Sequence, residues 1–356
     1  SGTLAYSQGY GLIIGGNYQQ TNLQGSGNSL NVGLSLSNFQ KSLNFNYFDP
    51  YFTMDGISRG FNVFLRRLDY DARNIARYST DSAGLGVNFG LPISETQRIN
   101  FGVMAEYTEI TEGYYAAQEI SEFIEVNGPR SANLKANISW SRSTLNRGIF
   151  ADRGTSQSIA AEVSVPGSDL QFYKFIYNGE RYFPITNNWT LRLRTELGFG
   201  GGYGDTPSLP FYEHFYGGGF GSIRGFENST LGPRSTPPLD SEGNPVYFRD
   251  RNGDPFGGNL LVEATAELIF PMPFVDDNRQ FRPAFFVDAG NVFNTNCPKV
   301  SVNCFGFDAD NFRYSVGVGV SWLSGMGPLT FSFAKPFQTQ PYDEKEMFQF
   351  ELGRTF

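Results

Sequence analysis

The chain has 356 residues, a formal net charge of -8, 42 glycines, 35 phenylalanines and 19 tyrosines. Its mean hydropathy is -0.32. No run of about 18 apolar residues occurs, which excludes a transmembrane helix but not a transmembrane barrel, whose strands alternate lipid-facing and lumen-facing residues. The acidic balance weighs against a nucleic-acid partner, because a phosphate-binding surface is basic.

Alternation with period two recurs along the chain and marks strands. Sixteen strands are predicted. They start near Thr3, Gly11, Leu30, Ser42, Ile57, Ser82, Ile99, Ser131, Gln157, Phe172, Trp189, Asn259, Phe281, Phe312, Leu329 and Met347. The first is short, with few apolar residues. The eleventh, "WTLRLRTELGF", sets Trp189, Leu191, Leu193, Leu197 and Phe199 against Arg192, Arg194 and Glu196. The twelfth, "NLLVEATAELIF", sets Leu260, Val262, Ala264, Ala266 and Leu268 against Glu263, Thr265 and Glu267. The fourteenth, "FRYSVGVGVSWL", repeats the pattern from Tyr314 to Trp322. The last, "MFQFELGRTF", aligns Phe348, Phe350, Leu352 and Phe356, with Gly353 inside it as a candidate bend, since glycine weakens a strand interior.

These strands run to roughly 9–14 residues, near the length that crosses a tilted bilayer. Tyrosine and phenylalanine gather at strand ends, where an interfacial girdle sits. The apolar faces are therefore assigned to lipid and the polar faces to a lumen. Closure follows, because an open sheet edge in hydrocarbon leaves backbone groups unpaired. The expectation is an all-β, antiparallel transmembrane barrel of sixteen strands, one domain over 1–356. An even count suits a bacterial outer-membrane barrel. "NLQGSGN", "PISETQR", "TNN" and "LSGMG" are short connections. "DYDARNIARYST", residues 110–130, about 204–258 and the cysteine segment are long. Short turns would face the periplasm and long loops the outside, with both termini periplasmic. Ser1 is not a start methionine, so a periplasmic part is expected to precede it.

The longest connection is the sixth outer loop. Its first half contains "FYGGGFGSIRGFENSTLGP", Phe215 to Pro233; its second half is polar and turn-rich. Structureless connections of such length are functional or disordered. An arginine between apolar residues in a glycine-rich loop that enters a lumen needs carboxylate partners, since an unpaired buried charge is costly. Strand parity puts Glu267 and Asp288 on the lumen side. The two cysteines, Cys297 and Cys304 in "NCPKVSVNC", read as a disulfide in an oxidising compartment, or else as two unpaired thiols in a reducing one. With His214 as the only histidine, neither a metal site nor acid–base catalysis is written here. No P-loop occurs, so no cofactor and no enzymatic activity are expected.

The "IRGF" of Ile223, Arg224, Gly225 and Phe226 and the "FVDAGNVF" of Phe286–Phe293 resemble two motifs of a superfamily that joins outer-membrane assembly factors and two-partner secretion transporters. "NLQGSG", "DPYFTMDGIS", "PFYEHFYGGG", "GPLTFSFAKPF" and "FQFELGRTF" resemble the BamA family of outer-membrane protein assembly factors in particular. The resemblance covers the barrel end to end; the family's periplasmic POTRA repeats are absent. It implies a sixth loop folded into the lumen, Arg224 paired with Glu267 and Asp288, and Phe226 beside them. It also implies a weak seam between the first and last strands, where the C-terminal strand of an unfolded outer-membrane protein adds to a free edge. Implied partners are those substrates, membrane lipids, and accessory Bam lipoproteins bound mainly through the missing repeats. Two other readings are an exporter of one exoprotein through the pore and a passive porin lined by Arg192, Arg194, Arg282 and Arg313.

Overall fold

The structure is a computed structural model that describes residues 2–8, 11–73, 75–247, 253–273, 280–324 and 327–352. Its strands are β1 (Gly2–Ser7), β2 (Gly11–Gln20), β3 (Ser29–Leu36), β4 (Gln40–Asp49), β5 (Ser58–Asp69) and β6 (Tyr78–Ser94). These are followed by β7 (Gln97–Glu112), helix α1 (Gln118–Asn127), β8 (Arg130–Ser143), β9 (Gly154–Ser164), β10 (Phe172–Pro184) and β11 (Thr190–Gly202). The rest are β12 (Gly225–Phe226), β13 (Leu260–Ile269), β14 (Phe281–Phe293), β15 (Arg313–Ser324), β16 (Gly327–Phe337), β17 (Lys345–Glu346) and β18 (Phe348–Leu352).

Among the described residues, sixteen of these strands close an antiparallel barrel in chain order, with β18 returning to β1; β12 and β17 pair with each other outside that ring. The alternation seen in the sequence becomes the wall. Leu12, Ile14, Leu65, Leu85, Ile138, Phe175, Val287 and Phe333 all point outward and are exposed. The opposite face of each strand carries the polar side chains. In water such a surface would aggregate; in hydrocarbon it is the matched one. Among the described residues no helix is long and apolar enough to cross a membrane.

Most strand starts fall within three residues of the sequence reading. The sixth does not. It was expected near Ser82 and begins at Tyr78. Alternation fails there because both faces are covered. Tyr78 stacks on Tyr70 at 4.3 Å between ring centroids and meets the edge of Phe211 at 4.8 Å. Helix α1, inside the long 110–130 connection, was not predicted. It packs Ile120 into a cluster with Phe39, Ile75, Tyr78, Phe211 and Phe256. The largest buried apolar cluster thus joins loop residues and helix α1 to the ends of the neighbouring strands.

Candidate functional site

The connection from β11 to β13 folds into the lumen rather than away from it. Its backbone is fastened to itself by isolated bridges, Phe215↔Gly258 and Gly217↔Leu231 among them. Two glycines make the path possible. Gly219 has φ +103°, and a Cβ there would sit 2.5 Å from Asn228 Oδ1; Gly225 has φ +89°, with Ala334 Cβ 3.2 Å from where its own would be. Left-handed backbone of this kind is cheap only for glycine. The turns bring Ile223, Phe226 and Leu231 together in a fully buried cluster.

Between Ile223 and Gly225 the chain carries Arg224 onto the inner faces of β13 and β14. Arg224 Nη1 donates to Glu267 Oε1 at 2.7 Å. Its Nε and Nη2 donate to Asp288 Oδ2 and Oδ1 at 2.8 and 2.7 Å, and its backbone N–H donates to Asp288 Oδ2 at 3.0 Å. This is the two-toothed guanidinium–carboxylate geometry that lysine cannot reproduce. Asp288 is fully enclosed, while Arg224 and Glu267 keep about a tenth of their side-chain surface. The guanidinium lies flat on Phe286, with Cζ 3.4 Å from the ring centroid. Glu267 faces Phe286 directly across the strands, so the ring and both carboxylates share one patch of wall. The aromatic against Arg224 is thus Phe286. Phe226, which the resemblance put beside the pair, packs with Ile223 and Leu231 instead, because the left-handed backbone at Gly225, φ +89°, re-aims the chain between Arg224 and Phe226.

Glu267 also receives Arg192 Nη1 at 2.8 Å, and Arg192 Nε reaches Glu180 at 3.0 Å. Two further inward arginines are engaged: Arg194 donates to Gly221 O and Glu196, and Arg313 to Asp343 at 2.6 Å. A second anchor holds the earlier part of the loop. Glu213 meets Lys135 at 2.9 Å and Lys174 at 3.0 Å, and Lys135 also meets Glu106 at 2.9 Å. Burial alone would raise the Glu213 carboxyl, but Lys174 and Lys135 hold it well below the usual carboxylate range. Sequence reasoning missed this anchor. Its signal was available: Lys135 and Lys174 sit at inward parity, and a buried lysine needs carboxylates.

Gln349 is the other unforeseen residue. It lies on β18, is buried, and donates from Nε2 to Phe226 O at 2.8 Å. With the β12–β17 pairing, Gly225↔Glu346 and Phe226↔Lys345, it ties the loop to the last strand. Over the mouth, Thr236 donates to Glu119 of α1 through both N–H and Oγ1, and Ser301 Oγ donates to the same carboxylate at 2.8 Å. Cys297 and Cys304 form a disulfide next to Ser301, as expected from their spacing, and the unpaired-thiol alternative falls.

The barrel closes at β1 and β18. β1 has six residues, and β18 is described from Phe348 to Leu352, where the described residues end. Among the described residues their ladder consists of Tyr6↔Leu352 and Ser7↔Glu351. Beyond Ser7 a side chain takes over: Gln8 Oε1 accepts from Phe350 N–H at 2.8 Å and Gln8 Nε2 donates to Phe348 O at 3.4 Å. Tyr6 stacks on Phe350 at 5.4 Å. Gly353, the candidate bend, lies outside the described residues.

A lipid-faced sixteen-stranded barrel whose own arginine-bearing loop crosses its lumen is an integral barrel of the outer-membrane type. The chain belongs to the Omp85 superfamily, whose domain matches residues 22–356. It is 34% identical to the outer membrane protein assembly factor BamA of Neisseria meningitidis, over 100% of this chain and 47% of that protein. The structure of BamA from Haemophilus ducreyi lacking POTRA domains 1–3 superposes with a TM-score of 0.90 at 30% identity, covering 100% of this chain and 69% of that one. CdiB from Acinetobacter baumannii gives a TM-score of 0.59 at 14% identity over 99% and 58%, a likeness of fold alone. The chain spans about half the length of the curated BamA relatives it matches.

Proposed function

We propose that this barrel folds and inserts other β-barrel proteins into the bacterial outer membrane through the seam between β1 and β18. The seam itself carries the reading. Past Ser7, where both strands are described, the hydrogen bonds of Phe350 and Phe348 on β18 run to the Gln8 side chain rather than to backbone. A side-chain amide can swing away without breaking a strand, so the edge of β18 opens at little cost. An incoming strand then satisfies the freed N–H and C=O groups, which lipid leaves bare at several kcal/mol each. The likeness to BamA over the whole chain supports this reading over export of one exoprotein. Engagement of Arg192, Arg194 and Arg313 by partners, with a loop across the lumen, weighs against a porin.

In this reading the protein is not an enzyme and uses no cofactor; substrate folding supplies the free energy. Arg224, Glu267 and Asp288 hold the loop that braces the lumen wall, and Gln349 couples that loop to the moving strand. Both termini face the periplasm, where accessory lipoproteins meet the parts of the relatives that precede this barrel. The test is a reversible lock in the full-length protein. Tyr6→Cys with Leu352→Cys joins residues that face each other across the seam. The locked protein should assemble a substrate barrel at least about tenfold more slowly, and reductant should restore the rate. A parent treated with the same reductant controls for the native disulfide. Equal rates for locked and unlocked protein would sink the mechanism.

A further inference from the structure

One row of charges on the lipid-facing wall has no role in the reading above. Near the long-loop ends of β4 to β8, five outward residues stand at one height and face each other strand by strand: Lys41↔Arg67, Arg67↔Asp81, Asp81↔Glu109 and Glu109↔Arg130. They share their face with Leu43, Leu65 and Leu85, which point into lipid. The order of signs is plus, plus, minus, minus, plus. Like charges directly opposite each other destabilise a sheet, so each such pair needs a counter-charge. The acidic pair has it inside the row: Arg67 Nη1 lies 3.5 Å from Asp81, and Arg130 Nη2 lies 3.0 Å from Glu109. The basic pair has it for Arg67 alone, through Asp81. Lys41 is exposed and has no ion pair among the described residues. The row is left with one surplus positive charge, at its Lys41 end.

Beneath Lys41 and Arg67 the wall forms an open groove of about 420 Å³ whose surface is mostly apolar, lined by Leu34, Leu36, Leu43, Leu65 and Tyr107, with Asp81 and Glu109 also in the lining and paired with Arg67 and Arg130. The groove opens on the outward face of the wall, and the cations sit at its rim, within two residues of the strand ends on the long-loop side. We propose that Lys41 and Arg67 bind the phosphate of an outer-leaflet glycolipid whose acyl chains lie along Leu36, Leu43 and Leu65. A phosphate has enough oxygens to accept from both side chains at once. It would give Lys41 the counter-charge that Arg67 already has in Asp81 and bridge the pair. The apolar groove selects a lipid over a free anion, because inorganic phosphate gains nothing from the leucines. The placement also fixes one side of the barrel, β3 to β6, against an ordered lipid, two to five places round the ring from β1.

The experiment is native mass spectrometry of the full-length protein titrated with bis-phosphorylated lipid A, with the dephosphorylated lipid and inorganic phosphate as parallel arms. Lys41→Gln with Arg67→Gln should weaken lipid A binding by about tenfold or more, as loss of two charge-assisted contacts implies. Lys41→Gln alone leaves every ion pair of the row intact and should weaken binding severalfold. Lys41→Arg should bind as the parent does, which separates loss of charge from damage to the wall. The dephosphorylated lipid should bind the parent as weakly as lipid A binds the double variant. Unchanged lipid A binding in Lys41→Gln and in the double variant would overturn the site. So would equal affinity for the dephosphorylated lipid, or full displacement of lipid A by inorganic phosphate.

Discussion

The wall and the plug of this barrel are stable for opposite reasons. The wall is held by backbone. From β2 to β16 each strand is laddered on both sides, as in the run from Gln97↔Arg142 to Glu109↔Arg130, and its outward side chains only have to match hydrocarbon. The plug has hardly any ladder: β12 is two residues long. It is held instead by side chains, with Arg224 on Glu267 and Asp288 at one point and Glu213 on Lys135 and Lys174 at another. The difference teaches where charge is tolerated. Removing a charge should damage the plug and spare the wall. Adding one should damage the wall and spare the plug.

The largest effect should come from Arg224→Ala. It strands Asp288, which is wholly enclosed, at a cost on the order of 3–5 kcal/mol for breaking a buried pair. Glu267 suffers less because Arg192 stays at 2.8 Å. Limited proteolysis should then cut the 203–259 connection while the barrel band stays folded. Arg224→Lys should rescue part of the protection, having the charge without the fork. A variant as protected as the parent would show that ion pairs do not hold the plug. Next comes the reverse insult. Leu85→Arg puts a charge on the exposed lipid face at mid-strand and should cost about 2–4 kcal/mol in bilayer refolding titrations, as cations near a barrel midplane do. The plug should be as protease-resistant as before. If Leu85→Arg refolds like the parent, that face does not meet lipid.

The smallest effect is one of pH. His214 lies in the plug, and its Nδ1 is 3.0 Å from Phe256 O. Burial pushes the imidazole down from its ordinary value of 6.5 to about 4. Between those values a displaced loop binds a proton that the docked loop refuses, so docking weakens as pH falls through that window and is at full strength above it. The loss should reach about 0.8 kcal/mol by pH 6. His214→Asn should flatten this slope in protease protection measured from pH 7.5 to pH 5. An unchanged slope would place the titrating group elsewhere.

Strand number, strand faces and the lipid-facing surface were legible in the amino-acid order, because a period of two over most of the chain admits one arrangement once closure is required. Arg224 and its carboxylates were legible in two parts: parity puts Glu267 and Asp288 inside, and the family resemblance named them as partners of Arg224. What lies between elements distant in sequence was not. Glu213 meets Lys135 across 78 residues and Gln349 reaches Phe226 across 123, with no local pattern to announce either. The early start of β6 escaped for the same reason, since Tyr78 is covered by Tyr70 and Phe211 rather than by its own strand neighbours. The charged row from Lys41 to Arg130 is invisible in the linear order and exists only in the register of five strands. Alternation is a local property, so the sequence by itself determined the wall. The plug, its anchors and the seam are sums of long-range contacts, and only the closed barrel decided which of them meet.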